Sequence, residues 1–134
     1  MMPKEVENNL FTIHDQHCHS NFSKDSKEPI ENEYEKAWKL GCKYFVTTEH
    51  VDLDILSSGI SWLVDFNKLK ETLKQLSKKH ETIPLLGVEI GYREKYINDL
   101  TSIANSEAFD VINLSIHGDD YFDYYYFEAL LHSF

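Results

Sequence analysis

Hydrophobic positions along the chain follow two alternating periods. Four short runs, Leu10 to His17, Lys43 to Thr48, Ile83 to Ile90 and Val111 to Ile116, are rich in β-branched, aromatic and aliphatic residues and read as strands. The third is almost continuously apolar, as expected of a strand buried on both faces. Between the runs, apolar residues recur at helical spacing. Ile30, Tyr34, Ala37 and Trp38 follow Pro29, which suits a first helical turn, and Gly41 stands where a C-terminal cap would end the helix. A loop through Ser57-Ser58-Gly59 leads to Asp65, a good N-cap for a stripe of Phe66, Leu69, Leu73 and Leu76. Lysines 68, 70, 74, 78 and 79 fall on the wet side of that helix. Tyr96, Leu100 and Ile103 mark a third helix, and Phe122 to His132 a fourth.

The order βαβαβαβα implies parallel strands joined by right-handed crossovers. The expected class is α/β: four β/α units forming half of a barrel or a small open sheet. The chain has 134 residues, the size of one modest domain, and no internal repeat or linker interrupts it.

Charge narrows the function. The net charge is −10, with a single arginine, Arg93, and scattered lysines, which argues against a nucleic-acid surface. Such a chain holds an anionic substrate only where bound cations or a few local basic groups reverse the sign. Two cysteines, Cys18 and Cys42, make no disulfide framework and read as small buried hydrophobes. No secretory run opens the sequence and no stretch approaches the roughly 20 apolar residues of a membrane span. The expected location is the cytoplasm, without a membrane partner.

The candidate chemistry begins at Asp15-Gln16-His17-Cys18-His19. On a strand, side chains alternate faces, so Asp15, His17 and His19 would point one way and His14, Gln16 and Cys18 the other. Two imidazoles about 7 Å apart along one edge can grip a divalent cation, with the carboxylate as ligand or orienting group. An isolated H-x-H pair is a common pattern. Here, however, the second strand ends in Thr48-Glu49-His50, the third in Gly87-Val88-Glu89-Ile90-Gly91 and the fourth in Ser115-Ile116-His117. Each strand thus delivers a metal-type ligand at its carboxyl end, where β/α proteins build their active sites. Imidazole and carboxylate without thiolate suit Zn, Mn or Fe in a hydrolytic site. Glu89 is suited to bridge two cations, which would clamp a phosphoryl group, and Asp25 offers a further ligand. Arg93, just beyond the Glu89 strand, is either a substrate-phosphate contact or a solvated first-turn arginine.

In order and register, Asp15-x-His17-x-His19-Ser20-x-Phe22-Ser23-x-Asp25, Thr47-Thr48-Glu49-His50-x-Asp52, Gly87-x-Glu89-Ile90-Gly91-Tyr92 and Phe109-Asp110 leading to Ser115-Ile116-His117 resemble the polymerase-and-histidinol-phosphatase (PHP) superfamily, most closely its histidinol-phosphatase branch. The resemblance runs from Thr12 onward. It implies a distorted β/α (TIM-like) barrel with up to three divalent ions and hydrolysis of a phosphate ester. In that branch the ester is L-histidinol phosphate, a small metabolite of histidine biosynthesis. Carried over by motif, His17, His19 and Glu89 would hold one ion, Glu89 would bridge to a second shared with His117, and Asp25 and His50 would hold a third. Glu89 and His117, together with Asp15, would form the catalytic group, with Asp15 and Asp52 supporting the ligands.

The family's later motifs, a histidine on a middle strand and a final Asp-x-His, do not occur in these residues. Residues 1–134 would then be the N-terminal half of a PHP-type metal-dependent phosphoesterase domain, with each ion short of at least one ligand and activity impaired. Open sheet edges and an uncovered apolar barrel-facing surface would favour homo-oligomers. The aromatic cluster Tyr121, Phe122, Tyr124, Tyr125, Tyr126 and Phe127 would pack a helix or loop, or lie exposed. Alternative readings are a PHP phosphoesterase for a nucleotide or nucleic-acid end, and a non-catalytic metal-binding or interaction fragment.

Overall fold

A computed structural model of the protein describes residues 14–119. Four strands, β1 (His14–Cys18), β2 (Tyr44–Val51), β3 (Ile83–Gly91) and β4 (Val111–Ser115), alternate with the helices α1 (Ile30–Lys39), α2 (Phe66–Leu76) and α3 (Ile97–Ala104). The strands lie in the order β1-β2-β3-β4 and every neighbouring pair is parallel. A doubly wound open sheet reverses its strand order at a switch point, whereas a barrel adds strands in sequence. The sequential order here is that of an arc of a β/α barrel.

Local sequence explains the helices. Gly41 adopts φ 78°, its N–H donates to the Trp38 carbonyl at 2.9 Å, and the Cys42 N–H reaches back to Ala37 at 3.0 Å. That pair of bonds is a Schellman cap, which needs a left-handed residue. Asp65 caps α2 by accepting from the Lys68 N–H at 3.0 Å. Ile30, Tyr34 and Ala37 of α1 and Leu69, Leu73 and Leu76 of α2 pack with Phe45 and Leu86 in one core cluster. Leu100 of α3 joins Val51, Val88 and Ile90 in a second. Lysines 68, 70, 74, 78 and 79 are exposed, and Cys18 and Cys42 are buried, as expected. Among the described residues no helix is long and apolar enough to cross a membrane.

Register fixes which residues share a face. His50 pairs with Glu89 and Glu89 with Asn113, while Val88 pairs with Ile112 and Ile90 with Leu114. Val88 and Ile90 belong to the helix-packed cluster, so the His50–Glu89–Asn113 row faces the barrel interior.

Three expectations are corrected. β2 continues through Val51, so Glu49 and His50 belong to the strand itself. In β1, Asp15 pairs with Phe45 but Cys18 pairs with Thr47, a bulge that breaks the strict alternation expected from Asp15 to His19. The apolar exposure is not confined to the barrel-facing side: Ile112 and Leu114 of β4, with Ile116 just past it, are exposed in line with the outer, helix-packed face. The expected fourth helix and the aromatic cluster after Asp119 lie outside the described residues.

Candidate metal centre

The strand ends bring four imidazoles and three carboxylates together. The β1 bulge is clamped by Thr48, whose hydroxyl accepts from the Cys18 N–H at 3.2 Å and donates to the Cys18 carbonyl at 3.3 Å. Beyond the clamp, His17 and His19 converge, with ring centroids 5.0 Å apart and Nε2 atoms only 3.0 Å apart. The two side chains lean toward a common point.

That point is Glu89. Its Oε2 lies 3.2 Å from His17 Nε2, 3.1 Å from His19 Nε2 and 3.3 Å from His50 Nε2. Its Oε1 accepts from the Ser115 hydroxyl at 2.8 Å and stands 3.4 Å from His117 Nε2. His50 Nε2 is also 3.1 Å from Asp25 Oδ2. Asp52 backs two of the imidazoles, with Oδ1 at 2.6 Å from His117 Nδ1 and Oδ2 at 3.4 Å from His50 Nδ1.

Three groups of donor atoms are each compact enough to hold one ion: His17, His19 and Glu89; His19, Asp25 and His50; and His50, Glu89 and His117. A tetrahedral ion with ligands at 2.0–2.1 Å sets them roughly 3.3 Å apart. The His17–His19–Glu89 triangle, with edges of 3.0, 3.2 and 3.1 Å, is close to one face of such a tetrahedron. The donor chemistry also fits, since His17 Nε2, His19 Nε2 and Glu89 Oε2 could each give an ion between them one lone pair. The residues present therefore suit divalent ions.

The electrostatics favour ionised carboxylates, while His117 holds its proton more tightly than a free imidazole. Burial pushes the Asp52 carboxyl up, but its hydrogen bond to His117 and the nearby His50 imidazole outweigh it and hold it at about 2. Burial pulls His117 down, yet its bond to Asp52 and the Glu89 charge leave it raised. Burial likewise raises Glu89, and Ser115 with the surrounding histidines brings it below the usual carboxylate value. Burial, reinforced by His50, lowers His19.

All the expected ligands, His17, His19, Asp25, His50, Glu89 and His117, thus meet in one cluster, with Asp52 behind them. Asp15 lies in β1 by its backbone, and its side chain is outside the described residues. Arg93 belongs to none of the three ligand groups but lines one recess with Asp52 and His117. Its Nη1 donates to the carbonyls of Leu53, at 3.1 Å, and of Asp54, and its guanidinium lies 5.3 Å over the Tyr96 ring. It fastens the loop after β2, whose Leu53, Ile55, Leu56 and Trp62 line a recess beside Asp52 and His117.

Sequence reasoning gave no role to Ser115, Gly91 or Glu49. Ser115 was accessible to it: two residues before His117, it shares the inner face by strand alternation. Gly91 leaves room for the Asp52–His117 pair, because a Cβ there would sit 1.9 Å from Asp52 Oδ1.

Comparison with known proteins matches residues 15–133 to the PHP domain. The chain belongs to this family. A probable histidinol-phosphatase of Clostridium acetobutylicum is 34% identical over 105 residues, covering 78% of this chain and 39% of the relative. The crystal structure of histidinol phosphate phosphatase from Lactococcus lactis, complexed with zinc, L-histidinol and phosphate, superposes with a TM-score of 0.70 at 25% identity. It covers 78% of this chain and 40% of that one. The chain thus spans about two fifths of the length of these relatives.

Proposed function

We propose that the chain forms the first four β/α units of a metal-dependent phosphomonoesterase acting on L-histidinol phosphate, in cytoplasmic histidine biosynthesis. One observation carries the proposal: four imidazoles and the Glu89 carboxylate converge at the strand ends in a fold whose Lactococcus relative binds zinc, L-histidinol and phosphate.

Counting lone pairs assigns the ligands. Each imidazole Nε2 can serve one ion, whereas Glu89 has two oxygens and can serve two. His17 and His19 with Glu89 Oε2 make one position, Glu89 Oε1 with His117 a second, and Asp25 with His50 a third. Zn, Mn or Fe is the expected occupant. Divalent ions in such an array neutralise charge on the phosphoryl oxygens and activate a water. The chain's own contribution is to fix their spacing. With an ion bound, Asp52 would hold the His117 proton on Nδ1 and leave the Nε2 lone pair for that ion. Ser115 anchors the Glu89 carboxylate through a hydrogen bond to Oε1 at 2.8 Å. The recess lined by Leu53, Leu56 and Trp62 lies where the alcohol part of an ester bound at His117 would extend. Asp15 remains in the proposed catalytic set on its motif alone.

The test is phosphate release from L-histidinol phosphate and from an aryl phosphate with added zinc or manganese. Turnover that His17→Ala and Glu89→Ala abolish supports the proposal. Metal binding without turnover favours the second reading, a metal-binding segment that needs the rest of a barrel. The 40% coverage of the Lactococcus enzyme supports that alternative.

A further inference from the structure

Glu49 is fully buried, yet it belongs to none of the ligand groups. It neighbours His50 on β2, so their side chains leave on opposite faces of the sheet. Burying a carboxylate is costly unless hydrogen bonds replace its water. Here Oε1 accepts from the Ser20 hydroxyl and the Thr47 hydroxyl, each at 2.5 Å, and from the Ser20 N–H at 3.2 Å. Oε2 accepts from the Ser20 N–H at 3.1 Å and from the Ser23 hydroxyl. An apolar side chain would fill the same space without that cost, so the arrangement calls for a function beyond packing.

The donors show what is gained. Ser20 and Ser23 belong to the loop after β1 that carries Asp25. Ser23 Oγ, while donating to Glu49, accepts from the backbone N–H of His50 at 2.9 Å. The Ser23 N–H closes the turn onto the Ser20 carbonyl at 2.9 Å. Two residues later Asp25, itself exposed, reaches His50 Nε2 at 3.1 Å. Glu49 and His50 therefore grip one loop from the two faces of the same strand: the carboxylate and backbone fix its path, and the imidazole meets its aspartate.

We propose that Glu49 is a positioning residue for a divalent cation held by Asp25 and His50, acting through Ser20 and Ser23. This rests on the reading that Asp25 and His50 hold an ion. Zinc titration of the whole chain against a chromophoric chelator tests it, with wild type, Glu49→Gln, Asp25→Asn and the double variant. Groups that orient metal ligands typically contribute 10- to 100-fold in affinity. Glu49→Gln is expected to weaken, by about that factor, the same binding step that Asp25→Asn weakens, and to spare the step lost in His17→Ala. The double variant is expected to bind no more weakly than Asp25→Asn, because both changes remove one interaction. Wild-type zinc affinity in Glu49→Gln, an equal loss at every step, or full additivity with Asp25→Asn would overturn the inference. If circular dichroism shows Glu49→Gln unfolded, Ser23→Ala cuts one link of the same chain. It is expected to weaken the same step, and unchanged affinity would again overturn the inference. A wild-type chain that takes up no zinc overturns the ion reading together with this one. Phosphate release bears only on the phosphatase reading, so the two fail separately.

Discussion

Asp52 Oδ1 and His117 Nδ1 stand 2.6 Å apart, the tightest contact in the cluster, and this bond aims His117 Nε2 at Glu89. Removing the charge of Asp52 while keeping its shape, in Asp52→Asn, is expected to weaken zinc binding about 10- to 100-fold. Chelator competition measures it.

The same carboxylate predicts a pH dependence of the metal-free chain. Its folded value, about 2, lies below the ordinary 3.8. Stability from this group is therefore complete above pH 3.8 and is lost as pH falls toward 2, a change of roughly 2 kcal/mol. Urea unfolding across that range should reveal the loss in wild type, and Asp52→Asn should lack it.

His117 gives the opposite sign. Its folded value is raised, so the stability it contributes is present below pH 6.5 and lost as pH rises through that higher value. A proton on Nε2 also competes with an ion. Zinc affinity should therefore climb through neutral pH with proton release, and His117→Ala should flatten the slope. Calorimetry in two buffers of different ionisation enthalpy measures the protons released.

Gly91 is required for space rather than backbone freedom. An alanine Cβ would meet Asp52 Oδ1 at 1.9 Å and His117 Nδ1 at 3.0 Å. Gly91→Ala is expected to separate the pair, cost about 1–3 kcal/mol in unfolding free energy and weaken zinc binding as Asp52→Asn does.

The exposed row on β4 predicts self-association. Ile112 and Leu114 are 47% and 67% exposed on the face that elsewhere packs helices. Sedimentation of wild type should depend on concentration, and Ile112→Lys with Leu114→Lys should abolish that dependence. A wild-type chain that remains monomeric at high concentration would contradict it.

Much of this was readable from the residues in order. The cap at Gly41, the stripe of α2 and the strand-end positions of His50, Glu89 and His117 each follow from local pattern, because periodicity and capping act within a few residues. The bulge before Cys18 was not readable, since it depends on Thr48 in a neighbouring strand thirty residues away. Glu49 was equally hidden. Its neighbours on β2 mark a ligand-bearing strand end, and only the fold reveals that its partners are serines on the opposite face. Arg93 was readable as a polar residue near the site. Its attachment to the Leu53 and Asp54 carbonyls depends on the path of a loop that includes the left-handed residues Asp54, Leu56 and Ser57.

Glu89 is the carboxylate on which the proposed binding of divalent ions at the strand ends turns. Metal content after equilibration with zinc and gel filtration, compared between wild type and Glu89→Ala, tests it most directly. At least one zinc should be retained per wild-type chain, and retention should be lost in Glu89→Ala because that carboxylate contacts three of the four histidines through Oε2 and the fourth through Oε1. Equal zinc content in the two proteins, or none in either, would contradict it.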